Sequence, residues 1–307
     1  MKSTSNTGLL HSFLLAEKTV RGAVLEGTPL VREMRHRHAL GALETLILGQ
    51  ALMATSLMAS SLKGHDEISL RIDCSGPIKG LIAESTATGE ARGYLKEVPI
   101  PLSAPLASLD AINHLNPLWG DGSLTITRYL EEGRQPFSSS ATLQSGDIAA
   151  EIAHYYLVSE QLPSAIHLSV FLDDHGEVAG AGGLLLQAMP GVGEKVFDRL
   201  AQRTQTLPPL GKALAEGREI HPWLIEQFAP FAPDMLGTHP VQYRCRCDAE
   251  RMRLLLLQLS LADLEDMRDN GPFPITLTCH FCNQHYHFDQ QAMADICREK
   301  QSLTATA

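Results

Sequence analysis

Arg244-Cys245-Arg246-Cys247-Asp248-Ala249-Glu250-Arg251, answered further along by Cys279-His280-Phe281-Cys282, is the stretch that organises this chain. Two close cysteine pairs supply four soft thiolates, a full tetrahedral set for zinc. The second pair has the spacing of a zinc knuckle, in which a tight turn brings two sulfurs onto one ion. Asn283 follows it, where a left-handed backbone is often wanted and asparagine tolerates one. The first pair shares a face if its backbone is extended, because side chains i and i+2 then point the same way. Four unrelated thiols would be a poor coincidence within residues 245–282 when the rest of the chain holds only Cys74 and Cys297. Those two lack a partner at ligand spacing and read as small core residues. His280, His285 and His287 are alternative ligands, but with four sulfurs present they read as surface or supporting groups.

A closed four-sulfur shell leaves no position for a substrate, so the metal reads as structural, one Zn2+ per chain in the reduced state, with no catalytic residues and no enzyme activity expected. The same shell is chemically vulnerable. Zinc holds its sulfurs as thiolates, and the thiolate is the form oxidants attack. Extended residues i and i+2 have Cα atoms about 6.6–7.2 Å apart, at or beyond the upper edge of disulfide geometry, so joining Cys245 to Cys247 distorts a strand there. Oxidation and the folded unit are therefore incompatible.

Outward from the cysteines, residues 240–300 read as a small C-terminal zinc-binding domain: a strand at 241–245, helices within 248–269, a strand at 274–278, another at 285–288 and a last helix. Residues 301–307 read as a frayed tail. So small a unit usually needs a staple, and structural zinc contributes about 10–16 kcal/mol in small peptide sites. Upstream, residues 191–239 form a linker whose texture is set by proline: Pro208, Pro209, Pro222, Pro230 and Pro233 break and shorten its helices. It also carries Phe197, Leu200, Leu207, Leu210, Leu214, Trp223, Leu224, Phe228 and Phe231, too many apolar side chains for a solvated spacer, so it must lie against something.

Residues 1–190 read as one α+β domain of mixed sheet and helix. Strands are expected at 19–25, 124–129 and 166–172, a hairpin at 68–72 and 79–83 around Ser75-Gly76-Pro77, helices within 30–63, and a helix at 147–158 with Asp147 as its N-cap. Residues 39–62 approach the length of a membrane span. Glu44, Gln50 and several Ser, Thr and Lys positions oppose that, and Leu40, Leu43, Ile47, Ala51, Ala54, Met58 and Leu62 recur as a core-facing stripe. The Ser138-Ser139-Ser140 run sits in no nucleophile-elbow pattern. The glycines of Ala179-Gly180-Ala181-Gly182-Gly183 lead into a strand-like leucine run, not a helix, and read as a turn or bulge.

The chain carries 25 Lys and Arg against 35 Asp and Glu, a formal charge of −10, with no basic block to neutralise a row of phosphates. That opposes the main rival reading, a zinc-ribbon nucleic-acid-binding protein. The N-terminal apolar run is too short and too soon interrupted for a signal peptide, which points to a cytoplasmic protein with neither nucleic acid nor membrane as partner.

With the cysteine pattern, Val20-Arg21-Gly22, Ala54-Thr55-Ser56-Leu57, Gly76-Pro77, Ser159-Glu160-Gln161-Leu162-Pro163, Gly182-Gly183, Leu186-Gln187-Ala188-Met189-Pro190 and Glu250-Arg251 resemble the 33 kDa heat-shock protein family, the redox-regulated holdase chaperones. The resemblance covers nearly the whole chain. Asp248 stands where the family often has serine and Asn283 where it often has glycine; both substitutions are conservative in physical terms. The resemblance implies an N-terminal α+β domain, a linker resting on it, and a zinc domain ligated by Cys245, Cys247, Cys279 and Cys282. It also implies a mechanism. Peroxide with heat, or hypochlorous acid, pairs Cys245 with Cys247 and Cys279 with Cys282; zinc leaves, and the inactive monomer becomes a dimer that binds unfolding client proteins without ATP, preventing their aggregation.

Overall fold

A computed structural model describes residues 7–102, 116–133 and 135–305, so the last residues of the expected tail, 306 and 307, lie outside the described ones. The chain divides into two compact units, Met1–Arg244 and Cys245–Ala307.

The first unit is built on one ten-stranded sheet. Its strands are β1 (Gly8–Leu15), β2 (Val20–Glu26), β3 (Glu67–Cys74), β4 (Gly80–Thr86), β5 (Glu90–Leu95), β6 (Gly122–Tyr129), β7 (Phe137–Thr142), β8 (Ser164–Leu172), β9 (Val178–Ala188) and β10 (Asp234–Tyr243). They lie in the order β7-β6-β3-β4-β5-β10-β1-β2-β9-β8. Neighbours are antiparallel except β10 and β5, which run parallel over a short register from Gln242. The expected hairpin around Ser75-Gly76-Pro77 is β3–β4, with Ile72 opposite Leu81.

Helices α1 (Thr28–His38) and α2 (Ala42–Ala59) follow β2, and α3 (Asn116–Trp119) and α4 (Ile148–Ser159) flank β6 and β7. Asp147 caps α4 as its sequence position suggested, accepting from the Ala150 amide at 2.8 Å. The expected stripe on α2 understates its burial. The helix packs on β2, β3, β4, β5, β8 and β9, and from Leu43 to Ala59 only Gln50 escapes burial. A helix apolar all round belongs inside a core, which is where this one sits: 89% of its most apolar window is buried. Its polar groups are satisfied locally. Thr55 and Ser56 donate to the Ala51 and Leu52 carbonyls at 2.7 and 2.8 Å, and Glu44 accepts from the Ile100 amide at 2.9 Å.

The proline-broken segment is ordered as α5 (Glu194–Gln205), α6 (Leu210–Ala215) and α7 (Ile220–Phe228). These helices lie on the apolar face of the β1, β2, β8 and β9 strands. There Phe13, Leu15, Val20, Val24, Leu184 and Leu186 meet Phe197, Leu200, Leu210, Trp223, Leu224 and Phe228 in one buried cluster. The glycine run is neither a turn nor a cradle: it lies in β9, beside a bulge opposite Phe171 and Leu172. A Cβ on Gly180 would come within 2.0 Å of the Gly211 carbonyl, and one on Gly182 within 2.7 Å of the Leu210 side chain. Glycine is what lets α6 approach the strand. The serine run is β7, where Ser138 and Ser140 bond Thr127 and Thr125 of β6 at 2.8 Å and Ser139 bonds Tyr155 of α4 at 2.6 Å. Those hydroxyls knit the sheet edge.

Several strands depart from the sequence reading, β5 and β7 among them, where none was expected. Residues 8–15, considered there only as a leader, form β1. The strand expected at 241–245 runs instead over Asp234–Tyr243 and enters the middle of the large sheet, ending before Cys245. Pro240 within it opposes Leu9 of β1, and pairing with β5 begins only at Gln242. The missing N–H of proline therefore falls where no second neighbour needs it.

The second unit contains α8 (Ala249–Leu256), α9 (Leu261–Asn270), the hairpin β11 (Ile275–Thr278) and β12 (His285–Phe288), and α10 (Gln290–Ala305). Its core is small: Met252, Leu256, Leu264, Ile275, Phe288, Met293, Ile296 and Cys297 are its main buried side chains. Asp248 caps α8 through the Arg251 amide at 2.7 Å, and Ser260 caps α9. Arg253 of α8 bridges Glu250 and Glu299 of α10. The tail expected to fray from residue 301 continues α10 to Ala305.

Candidate metal centre

Cys245 and Cys247 lie in the irregular segment between β10 and α8, and Cys279 and Cys282 in the turn joining β11 to β12. The turn is tight because Asn283 takes the left-handed conformation, with φ 58°, and donates its amide to the Cys279 carbonyl at 2.7 Å. The Cys279 amide donates in turn to Gln284 at 2.9 Å. The pairing of β11 with β12 thus fixes where the second pair of sulfurs points.

All four sulfurs lie within 4.8 Å of one another. Cys247 and Cys282 are 3.3 Å apart, Cys245 and Cys279 3.7 Å. These distances are far from the roughly 2.05 Å of a disulfide. They approach the edge of a tetrahedron of sulfurs at about 2.3 Å from a central zinc, about 3.8 Å. The second pair is buried and the first half-buried.

Electrostatics point the same way. Burial, and then repulsion from Cys245, pushes the Cys279 thiol up to about 11. Burial also raises Cys282. Burial opposes ionisation of Cys245 too, but hydrogen bonds from the Cys247 amide and the surrounding thiols outweigh it and hold this thiol below its ordinary value. Four sulfurs this close cannot all ionise without a compensating cation, and a divalent ion supplies that charge. Donor type, number and spacing therefore fit zinc.

His285 and His287 turn away from the sulfurs to bond Thr278 and Thr276 at 2.9 and 3.0 Å, and His280 is exposed. Among the described residues the metal-competent cluster contains cysteines only. Cys297 is buried in α10, as a core residue should be, whereas Cys74 is half-buried at the end of β3. One member of the site escaped the sequence reading. Tyr286 of β12 donates its hydroxyl to the Cys247 sulfur at 3.1 Å. The alternation in His285-Tyr286-His287-Phe288 was the available signal, since it places Tyr286 opposite in direction to its histidine neighbours.

Comparison with known proteins extends over nearly the whole chain. A family model for the Hsp33 protein matches residues 8–289. The 33 kDa chaperonin of Desulforamulus reducens is 36% identical, over 88% of this chain and 90% of its own. That of a Geobacillus species is 30% identical, over 90% and 92%. The crystal structure of the 33 kDa chaperonin, a heat shock protein 33 homolog, from Thermotoga maritima superposes with a TM-score of 0.86 at 28% identity, covering 97% of this chain and all of the other.

Proposed function

This chain belongs to the Hsp33 protein family, and from that premise we propose that it is a chaperone of the holdase type, switched on by oxidation of its four cysteines and working without ATP on unfolding proteins. The observation that carries the reading is the gathering of Cys245, Cys247, Cys279 and Cys282 within 4.8 Å. In the reduced monomer the four thiolates hold one zinc, whose charge lets them share a buried site and whose binding orders the second unit.

Oxidation removes the ligands. Two thiolates give two electrons to one peroxide and, with two protons, yield one disulfide and two waters. Repeated for Cys245 with Cys247 and for Cys279 with Cys282, this consumes all four donors and frees the ion. A unit with so small a core then loses its order. Its first cysteine follows β10 after one residue, and the α5–α7 layer precedes the same strand, so the disorder is delivered to the element that joins them. Loosening of the layer uncovers Phe13, Leu15, Val20, Val24, Leu184 and Leu186, the kind of apolar surface an unfolding polypeptide binds and a second copy can share in the active dimer. A switch built on thiols needs a reducing compartment as its resting state, which suits the cytoplasm.

The test is suppression of aggregation of a heat-unfolded model protein, followed with zinc release and free thiols on the same sample before and after peroxide at raised temperature. Activity should appear only as thiols and zinc are lost; equal activity in the reduced, metal-loaded protein would contradict the reading.

A further inference from the structure

A row of four side chains crosses the sheet face that α5–α7 cover. His11 of β1 lies opposite Val24 of β2, Val24 opposite Leu184 of β9, and Leu184 opposite His167 of β8. Paired residues in an antiparallel sheet share a face, and Val24 and Leu184 belong to the buried cluster beneath the helices. The row therefore ends in two imidazoles, and they are placed differently. His11 stands 3.3 Å from the Glu26 carboxylate, so a charge there finds a counter-ion. His167 lies between Ala165, which joins the same cluster, and Ser169, whose hydroxyl accepts the Gly211 amide of α6 at 3.0 Å. Its Nε2 is shut away from solvent and meets no hydrogen-bond partner among the described residues.

The elements packed on β8 are β9, α2, α4, α5 and α6, and none brings a counter-ion against this ring. β9 carries no charged residue. Glu194, Lys195, Asp198 and Arg199 of α5 and Lys212 of α6 are exposed, and Arg203 of α5 donates to Gln227 at 3.0 and 2.5 Å. On the other face of the sheet, where Leu168 and Leu57 of α2 crowd Gly183, Glu44 of α2 and Glu151 of α4 accept main-chain amides. His154 of α4 is half-buried. Burial holds His167 below the ordinary histidine value, and only the Asp147 carboxylate, at the start of α4, acts against it.

We propose that His167 is a proton-driven release for the α5–α6 cover, which lifts when an imidazolium forms beneath it and uncovers the sheet face with the sulfurs unchanged. Protonation adds one proton to the neutral ring and breaks no covalent bond. Both ring nitrogens then carry hydrogen, and an Nε2–H with no acceptor in the closed layer is satisfied once water enters. A histidine whose value is lowered by folding stabilises the closed layer while neutral. That contribution is complete above the ordinary value, about pH 6.5, and is lost as the pH falls below it. The inference rests on the reading above only for what the uncovered face binds.

The test is amide exchange of α5 and α6 in the full, reduced, zinc-loaded chain at roughly pH 7.5 and roughly pH 5.5, on either side of the ordinary histidine value. Rates are normalised to the intrinsic exchange at each pH, and bound zinc is measured on the same samples. In the unsubstituted chain the opening of α5 and α6 should rise by roughly up to tenfold at the lower pH, the limit for one proton over one pH unit. His167→Gln, which stays polar and takes up no proton, should abolish the rise, and His11→Gln should keep it. An equal rise in H167Q, a rise that follows His11 instead, or no rise in the unsubstituted chain would overturn the proposal. So would opening that appears only in proportion to zinc loss. Should H167Q fail to fold, the ring resonances of His167 in the unsubstituted chain decide the matter: a titration that tracks the opening supports the proposal, and opening without titration defeats it. The readout is the lifting of two helices, not client binding, so its failure leaves the oxidative reading standing.

Discussion

The α5–α7 layer precedes β10 along the chain and the four-cysteine unit follows it, and the two are held by different means. The layer buries Phe197, Leu200, Leu210, Trp223, Leu224 and Phe228 against a sheet face that is equally apolar, each such side chain contributing about 1.5–3 kcal/mol. The second unit has a short roster of buried side chains and four sulfurs gathered to a point. Thiolates react with oxidants far more readily than aliphatic side chains, so the proposed oxidative signal enters at the four-cysteine cluster of the second unit.

That contrast can be broken at either end. The largest effect is expected from Cys279→Ser, which removes one of the two buried sulfurs and with it most of a binding energy on the order of 10 kcal/mol. Zinc stoichiometry should fall to near zero, and limited proteolysis should cut within residues 245–305 while the ten-stranded sheet survives; a protected second unit in a metal-free variant would mean that its apolar core suffices. Next comes Trp223→Ala in α7, which empties a fully packed site and should cost about 3–5 kcal/mol in urea unfolding of the first unit. This variant should bind unfolding protein while reduced and still zinc-loaded. If it unfolds more easily yet gains no such binding, the covered sheet face is not the client surface. The smallest effect sharpens the account of the second unit: Asp248→Ala deletes the cap that meets the Arg251 amide and should lower the unit's melting temperature by the equivalent of about 1 kcal/mol without changing the zinc content.

Much of this was readable from the residues because local chemistry and the final environment agree. The cysteine spacing, the left-handed Asn283, the caps Asp147 and Asp248 and the β3–β4 hairpin each depend on neighbours a few residues away. What the sequence concealed depends on distant partners. Strand β10 carries Gly237 and Pro240 and shows no clean alternation, and it becomes a central strand only because β1 pairs along most of it and β5 along its end. The glycines of β9 read as a turn or bulge, and a register shift does fall at their start, but only α6 supplies the reason for their smallness. Helix α2 shows a stripe in one dimension, yet strands surround it in three. Tyr286 reaches Cys247 only after β12 has folded back on β11: alternation sets its direction apart from its histidine neighbours, but the sulfur it meets lies 39 positions upstream.

The central claim is that the state of four sulfurs decides whether residues 245–305 are folded. Amide hydrogen exchange, read on one sample reduced and zinc-loaded and again after peroxide at raised temperature, tests it most directly. Protection should vanish across α8, α9, β11, β12 and α10 once thiols and zinc are gone, and persist in β3, β4 and β6. Protection retained across residues 245–305 with every thiol oxidised and the ion removed would contradict the account.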